Sequence, residues 1–400
     1  MQLLPDLVNR LKRENQEKEK KNFGPYAYFS DKAQRKVKEI NGYRSYFTRD
    51  ADRINHSLSF ARYFDKTQVF FWLQSDIHQK RMLHVQLVSK IARELAEVFK
   101  LNTSLVEAIA LGHDIGHVPF GHDGEELLTK ITEQKGIGQY HHNFGSVWFL
   151  QEVEMQNLTL PVLDGILGHN GENHQGKLYP ASTELTWTHL EQDLENLKLG
   201  KIKDPVPKTM EGILVRFADT ISYISRDVMD AQHLGILSFK DIPESVKIQL
   251  GKSNREIINS LITDLIQNSI DQPYISYSEA TNAALQDLYK FNLNHIYLHP
   301  DKLQPLPTID KAMHLLWDHY YDDLINERLD SKIFKDHLFL NLNQIRTRRP
   351  EINSLEKYPY YKQPPEIIVR DFIAGMTDQF FWSLSSSLDP TLEFERKIVY

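Results

Sequence analysis

Apolar side chains recur at spacings of three and four through RMLHVQLVSKIARELAEV, where Val85, Val88, Ile91, Leu95 and Val98 fall on one stripe. That period predicts an amphipathic helix with a single buried face. SLVEAIALG (104–112) follows, with Leu105 and Ile109 one turn apart and Ser104 and Glu107 at capping-box spacing. Gly112 stands where this helix should loosen or end. NFGSVWFLQEVE (143–154) and PVLDGILGH (161–169) read as two more helices, the second with Pro161 in its first turn. The longest pattern is TMEGILVRFADTISYISRDVMDAQHLG. Ile213, Phe217, Ile221, Ile224 and Val228 predict one continuous helix, stopped at Gly235. Beyond residue 240, helical stretches alternate with proline-containing connectors such as LHPDKLQPLPTID, and a short hairpin is expected in the C-terminal third. Residues 10–21 carry six Lys/Arg and three Glu, the pattern of a solvated helix or arm. The fold class is therefore all-α. We divide it into an arm (1–40), a core (41–240) and a mostly helical C-terminal region packed on that core (241–400).

Composition narrows the chemistry. With 41% hydrophobic and 25% charged residues the chain is a folded globular protein. It has no cysteine, which excludes disulfides, thiolate zinc sites and a cysteine nucleophile, and fits a reducing cytoplasm. The N-terminus MQLLPDLVNRLKRENQEKEKK has no uninterrupted apolar segment ahead of its charges, so no signal peptide is expected. No run reaches the roughly eighteen apolar residues of a membrane span. A net charge of -7 argues against a dedicated nucleic-acid coat. An anionic substrate would need a local cluster of cations or a metal.

One segment departs from this ordinary background. LGHDIGHVPFGHDGEE (111–126) packs three histidines, two aspartates and two glutamates among glycines that make a poor continuous helix. Five of the chain's 17 histidines (113, 117, 122, 141 and 142) fall between residues 113 and 142. Imidazoles and carboxylates on rigid elements form a metal site of oxygen and nitrogen donors. Adjacent residues such as His113 and Asp114 point about 100° apart on a helix. They reach one ion only near a helix end, which Gly112 and Gly116 permit. His84 and Asp219 each lie inside an apolar helical stretch, where an unpaired carboxylate is costly to bury. Asp219 asks for a partner: a metal, or Arg216 or Arg226 on its own helix.

The ordered set His84, His113-Asp114, Asp219 resembles the H…HD…D signature of the HD-domain metallohydrolases. LGHDIGHVPFGHDGEELL is similar to the signature segment of the bacterial dGTP triphosphohydrolases and their relatives. RDADRINHSLSFARYFDKTQVF (49–70), YHHNFGS, FADTISYISRDVMDAQHLG and VRDFIAGMTDQF resemble further segments of that family, in the same order. The resemblance covers residues 49 to about 235 and returns at 369–380. It departs at QKRMLHVQLV, where many relatives carry RTRLTHSLEV: Arg81 and His84 stay, while Leu83 and Val85 replace Thr and Ser. Residues 241–365 match no family motif.

The resemblance implies an HD-domain helical fold and hydrolysis of a deoxynucleoside triphosphate to deoxynucleoside and tripolyphosphate. It assigns one divalent ion to His84, His113, Asp114 and Asp219. Mg2+ or Mn2+ is expected, and Fe, Ni, Co or Zn suits the same donors. It gives His122 and Glu125 the catalytic role, with Glu125 orienting the His122 imidazole, and places His117 and His142 beside them as phosphate contacts or proton carriers. Arg81 is expected on the triphosphate, with Lys80, Arg62 and Lys66 as further cations. Gln68 is expected on the nucleoside. Asp219, Tyr223 and Asp227 are spaced by four and four, so Tyr223 can exclude a 2′-hydroxyl while Asp227 accepts from the 3′-hydroxyl. Expected partners are a dNTP, an activating nucleotide, single-stranded DNA and copies of the same chain in a tetramer or hexamer, with no membrane. The competing expectations are an HD hydrolase of another nucleotide and a non-catalytic nucleotide sensor.

Overall fold

The computed structural model describes residues 4–39, 42–74, 80–170, 176–392 and 397–398. At its centre lies the Thr103–Gly112 helix, apolar on nearly every side, with Leu105, Val106, Ala108, Ile109, Ala110 and Leu111 all buried. A helix with no polar face must be surrounded. Arg81–Val98, Tyr46–Asn55, Leu160–Leu167 and Met210–Tyr223 all pack against it. Its cap differs from the expected capping box. Asn102 accepts from the Leu105 amide, and Ser104 instead accepts a bond from the Thr48 hydroxyl. The helix begins two residues earlier than the apolar pattern marks, with Thr103 and Ser104 already helical, so the cap falls on Asn102.

The long pattern at 209–235 is broken. Helices run Met210–Tyr223 and Arg226–His233, with a turn at Ile224 and Ser225. Asn292 Nδ2 donates to the Ile224 carbonyl at 2.7 Å, and Ser225 Oγ donates to Asn254 Oδ1 at 2.8 Å. The C-terminal region thus satisfies groups that a break would otherwise leave orphaned. The apolar stripe hides this because both halves bury the same face. The stop at Gly235 stands, with φ of +71° after the second helix.

The expected hairpin is absent among the described residues. Two-residue strands instead join distant segments, Leu73–Gln74 with Lys397–Ile398 in parallel and Lys177–Leu178 with Ile275–Ser276 antiparallel. NFGSVWFLQEVE gives the His142–Trp148 helix and then a wider turn of helix at Phe149–Val153. The Pro5–Asn22 helix buries no residue, as its charge run predicts. In the C-terminal region, Leu306–Ile325 packs on Pro365–Ala374, on Asp378–Leu388 and on Gly121–Gln134. Among the described residues no helix is long and apolar enough to cross a membrane.

Candidate active site

The histidine-rich segment leaves the central helix at Gly112 and enters Gly121–Gln134 through a turn with two left-handed residues, Phe120 (φ 67°) and Gly121 (φ 61°). Such a conformation is costly for phenylalanine. It is held by Asp378 Oδ1 accepting from the Phe120 amide and by Phe381 packing edge-on against the Phe120 ring. Gly116 lets this segment approach the His142 helix closely, since a Cβ there would lie 2.1 Å from the His142 carbonyl oxygen. Backbone contact thus brings residues 113–125 against residues 142–146.

The donor atoms of His84, His113 and Asp114 lie within 4.8 Å of one another, and Asp219 approaches both imidazoles. His84 Nε2 lies 3.0 Å from Asp219 Oδ1 and 3.6 Å from Asp114 Oδ2. His113 Nε2 lies 3.5 Å from Asp114 Oδ1 and 3.8 Å from Asp219 Oδ1. Neighbours set each tautomer. His113 Nδ1 donates to the Ala110 carbonyl at 2.7 Å, which turns the Nε2 lone pair inward. Ser222 Oγ donates to the Asp219 carbonyl, so at 3.1 Å it can only accept from His84 Nδ1. His113 Nε2 finds no hydrogen-bond partner. Lone pairs and carboxylate oxygens facing one another at these separations call for a cation. Ligands at about 2.1 Å from one ion stand roughly 3 to 3.5 Å apart. The donor set therefore fits a divalent metal, and backbone or hydroxyl partners orient both imidazoles as metal ligands require. Asp114 also carries Arg81, whose Nη1 donates to Asp114 Oδ2. Burial alone would raise the Asp114 carboxyl, but His113, Arg81 and His117 outweigh it and hold it well below the usual range.

Beside this cluster stands a second group. His117, His122, Glu125 and His142 place their polar atoms within 4.8 Å of one another. Glu125 is not chiefly the partner of His122, as the three-residue spacing led us to expect. Its Oε2 accepts from His142 Nδ1 at 2.9 Å. The helix turns His122 toward the pocket opening and Glu125 toward the adjacent His142 helix. His142 Nε2 lies 3.2 Å from His169 Nε2, while His169 Nδ1 donates to the Ile166 carbonyl at 2.7 Å. His169 must then accept, and His142, donating from both nitrogens, is an imidazolium. Burial opposes that charge, but Glu125 outweighs it and raises the His142 imidazole above its ordinary range. Burial and the neighbouring histidine charges push His169 down to about 3. His117 stacks on His142 with ring centroids 3.9 Å apart; burial, then Arg81 and His142, push it far below the normal value. His122 opens to the pocket, and desolvation and the His142 charge lower it to about 4. His122 is thus neutral at neutral pH, beside the charged His142.

A cavity of about 410 Å³ joins both groups. Gln68, Arg81, His84, Asp114, His117, His122, His142, Asp219, Tyr223 and Asp227 line it. Gln68 Oε1 is buried without a hydrogen-bond partner. Tyr223 and Asp227 share the wall although the helix between them is broken, and Tyr297 donates to Asp227 Oδ2 at 2.7 Å. The further cations are committed elsewhere. Lys66 donates to the His117 and Ala374 carbonyls, Lys80 pairs with Asp65 at 3.8 Å, and Arg62 faces Glu154 and Tyr360. Arg226, offered as a partner for Asp219, pairs with Asp230 instead. Sequence reasoning missed His169, Ser222, Tyr297 and Lys302. His169 had a faint signal, a Gly-His pair directly after a helix.

Helical layers around an inward His/Asp cluster define an HD-domain protein, and the HD domain family model matches residues 81–224. Among curated proteins the chain is 31% identical, over 91% of both chains, to a deoxyguanosinetriphosphate triphosphohydrolase-like protein of Caldanaerobacter subterraneus subsp. tengcongensis. It is 36% identical to one of Clostridium perfringens (strain SM101) over 68% of this chain and 73% of the relative. A third, from Leptospira interrogans, is 26% identical over 93% and 97%. The chain belongs to the deoxyguanosinetriphosphate triphosphohydrolase-like family.

Proposed function

We propose that this protein hydrolyses deoxynucleoside triphosphates at the α-phosphorus, releasing deoxynucleoside and tripolyphosphate. The observation that carries this reading is one cavity in which the His84, His113, Asp114 and Asp219 side chains adjoin a neutral His122 and a charged His142–Glu125 pair. The names of the relatives point to the same chemistry. His84, His113, Asp114 and Asp219 would hold one divalent ion, which supplies Lewis-acid polarisation of a phosphate oxygen when bound. His122, uncharged and open to the cavity, takes a proton from the attacking water or passes one to the leaving 5′-oxygen. His142, kept charged by Glu125 and with both N–H groups held by Glu125 and His169, stabilises charge that grows on the phosphate through its own positive charge. Gln68 contacts the nucleoside, Tyr223 presses on the sugar at C2′, and Asp227 receives the 3′-hydroxyl.

The site of cleavage is tested by turnover in 18O-labelled water. Attack at the α-phosphorus transfers the label to a phosphate-containing product only if the P–O bond to that phosphorus forms anew, so the label is expected in tripolyphosphate and absent from the deoxynucleoside. Label in the deoxynucleoside, or release of orthophosphate, would refute the reading.

A further inference from the structure

Lys302 has no place in the chemistry just described, yet it lines the same cavity. It belongs to the Pro300–Leu303 helix of the C-terminal region, where no family motif matches. Its side chain is only 9% exposed, so its ammonium faces the cavity and its wall, with little access to bulk water. Nζ lies 2.6 Å from Asp123 Oδ2 and donates to the Tyr297 carbonyl at 3.1 Å. Asp123 follows His122 directly in the chain, so this ammonium sits next to the second histidine group.

A triphosphate tail brings about four negative charges, more than one divalent ion and the His142 imidazolium offset. Arg81 is bound to Asp114 within the metal cluster, and Arg216 lies near the Gly168 and Pro205 carbonyls. Lys302 is different: its carboxylate partner is neither a metal donor nor a partner of the histidines. A phosphate group, with more charge and more acceptors than a carboxylate, can take Asp123's place on a rotatable ammonium without dismantling anything else.

We infer that Lys302 is a positioning residue for the polyphosphate tail, held ready by Asp123 and released to the phosphate when substrate enters. The inference rests on the proposed function for the identity of the ligand. It also sets the direction of the tail, from the metal cluster past His122 toward the C-terminal region.

The test measures binding of inorganic tripolyphosphate by calorimetry, with excess Mg2+, to the full metal-loaded chain and three variants. Lys302→Met keeps the aliphatic stem and its packing while removing the charge. Lys302→Arg keeps the charge, and Asp123→Asn removes the competing carboxylate. A charge-assisted bond predicts that Lys302→Met weakens binding about ten- to a hundredfold. Lys302→Arg should recover most of this, and Asp123→Asn should tighten binding. A merely structural tie between Lys302 and Asp123 would make Lys302→Met and Asp123→Asn fail alike. That result, or unchanged affinity in Lys302→Met, overturns the inference. Turnover of dNTPs by the unaltered protein is read separately. Lys302-dependent binding of tripolyphosphate with no dNTP cleavage would refute the proposed reaction and leave the anion site standing.

Discussion

Glu125 Oε2 accepts from His142 Nδ1 at 2.9 Å, and that one bond divides the histidines into two kinds. His142 is held charged, whereas buried His117 and His169, and His122 at the mouth of the cavity, are held neutral beside it. Glu125→Gln should therefore act through His142. Turnover should fall by about 10²–10⁴, with metal content unchanged by elemental analysis. Equal loss of metal and activity would place Glu125 in the metal site instead.

The metal donors and the proton carriers should separate by substitution. His113→Ala or Asp114→Ala should abolish bound metal and turnover together. His122→Ala should lose turnover and keep the metal, because its imidazole lies in the second group. Chelation should also lower the melting temperature, since an ion bound only by the folded state stabilises it by mass action. Loss of metal in His122→Ala would contradict the division of roles.

Glu211 lies far from this chemistry and makes a cleaner test of electrostatics. Its Oε1 accepts from the Tyr28 and Asn102 amides, joining the N-terminal segment to the cap of the central helix, while its Oε2 has no hydrogen-bond partner. Burial pushes its carboxyl up to about 7. The folded state then holds a proton that the unfolded chain releases near pH 4.5, so stability from this group is greatest at low pH. It is lost as pH rises from about 4.5 to about 7 and is constant above. Glu211→Gln keeps the accepting oxygen and removes the charge. It should raise stability at pH 8 by up to about 3 kcal/mol and show little gain at pH 4.5, as read by urea unfolding. A gain independent of pH would contradict the buried-charge account.

Tyr297 fixes Asp227 from the C-terminal region. Tyr297→Phe should raise KM for a dNTP several-fold, on the order of one lost hydrogen bond, with kcat little changed. A fall in kcat at unchanged KM would place Asp227 nearer the reacting atoms than the sugar.

The His/Asp cluster stands out in the sequence because His84 and Asp219 sit inside apolar helices, where each is costly without a partner, and His113-Asp114 follows the glycine that ends a third. Spacing along one helix also reads correctly where the helix continues, as from Asp219 to Tyr223. It fails where tertiary contacts decide. Whether Glu125 meets His122 or His142 depends on the approach of two segments across Gly116, which no periodicity records. The break at Ile224 depends on Asn292, 68 residues away. Lys302 and Tyr297 reach the cavity from a region whose sequence carries no motif, so only the packing of the C-terminal helices brings them into view.

The central claim is tested most directly by incubating the purified, metal-loaded protein with each dNTP and rNTP, singly and in mixtures, and resolving the products by chromatography. Deoxynucleoside and tripolyphosphate from dNTPs, with rNTPs untouched, is the predicted result. Orthophosphate or pyrophosphate release, or no turnover in any mixture, would contradict it.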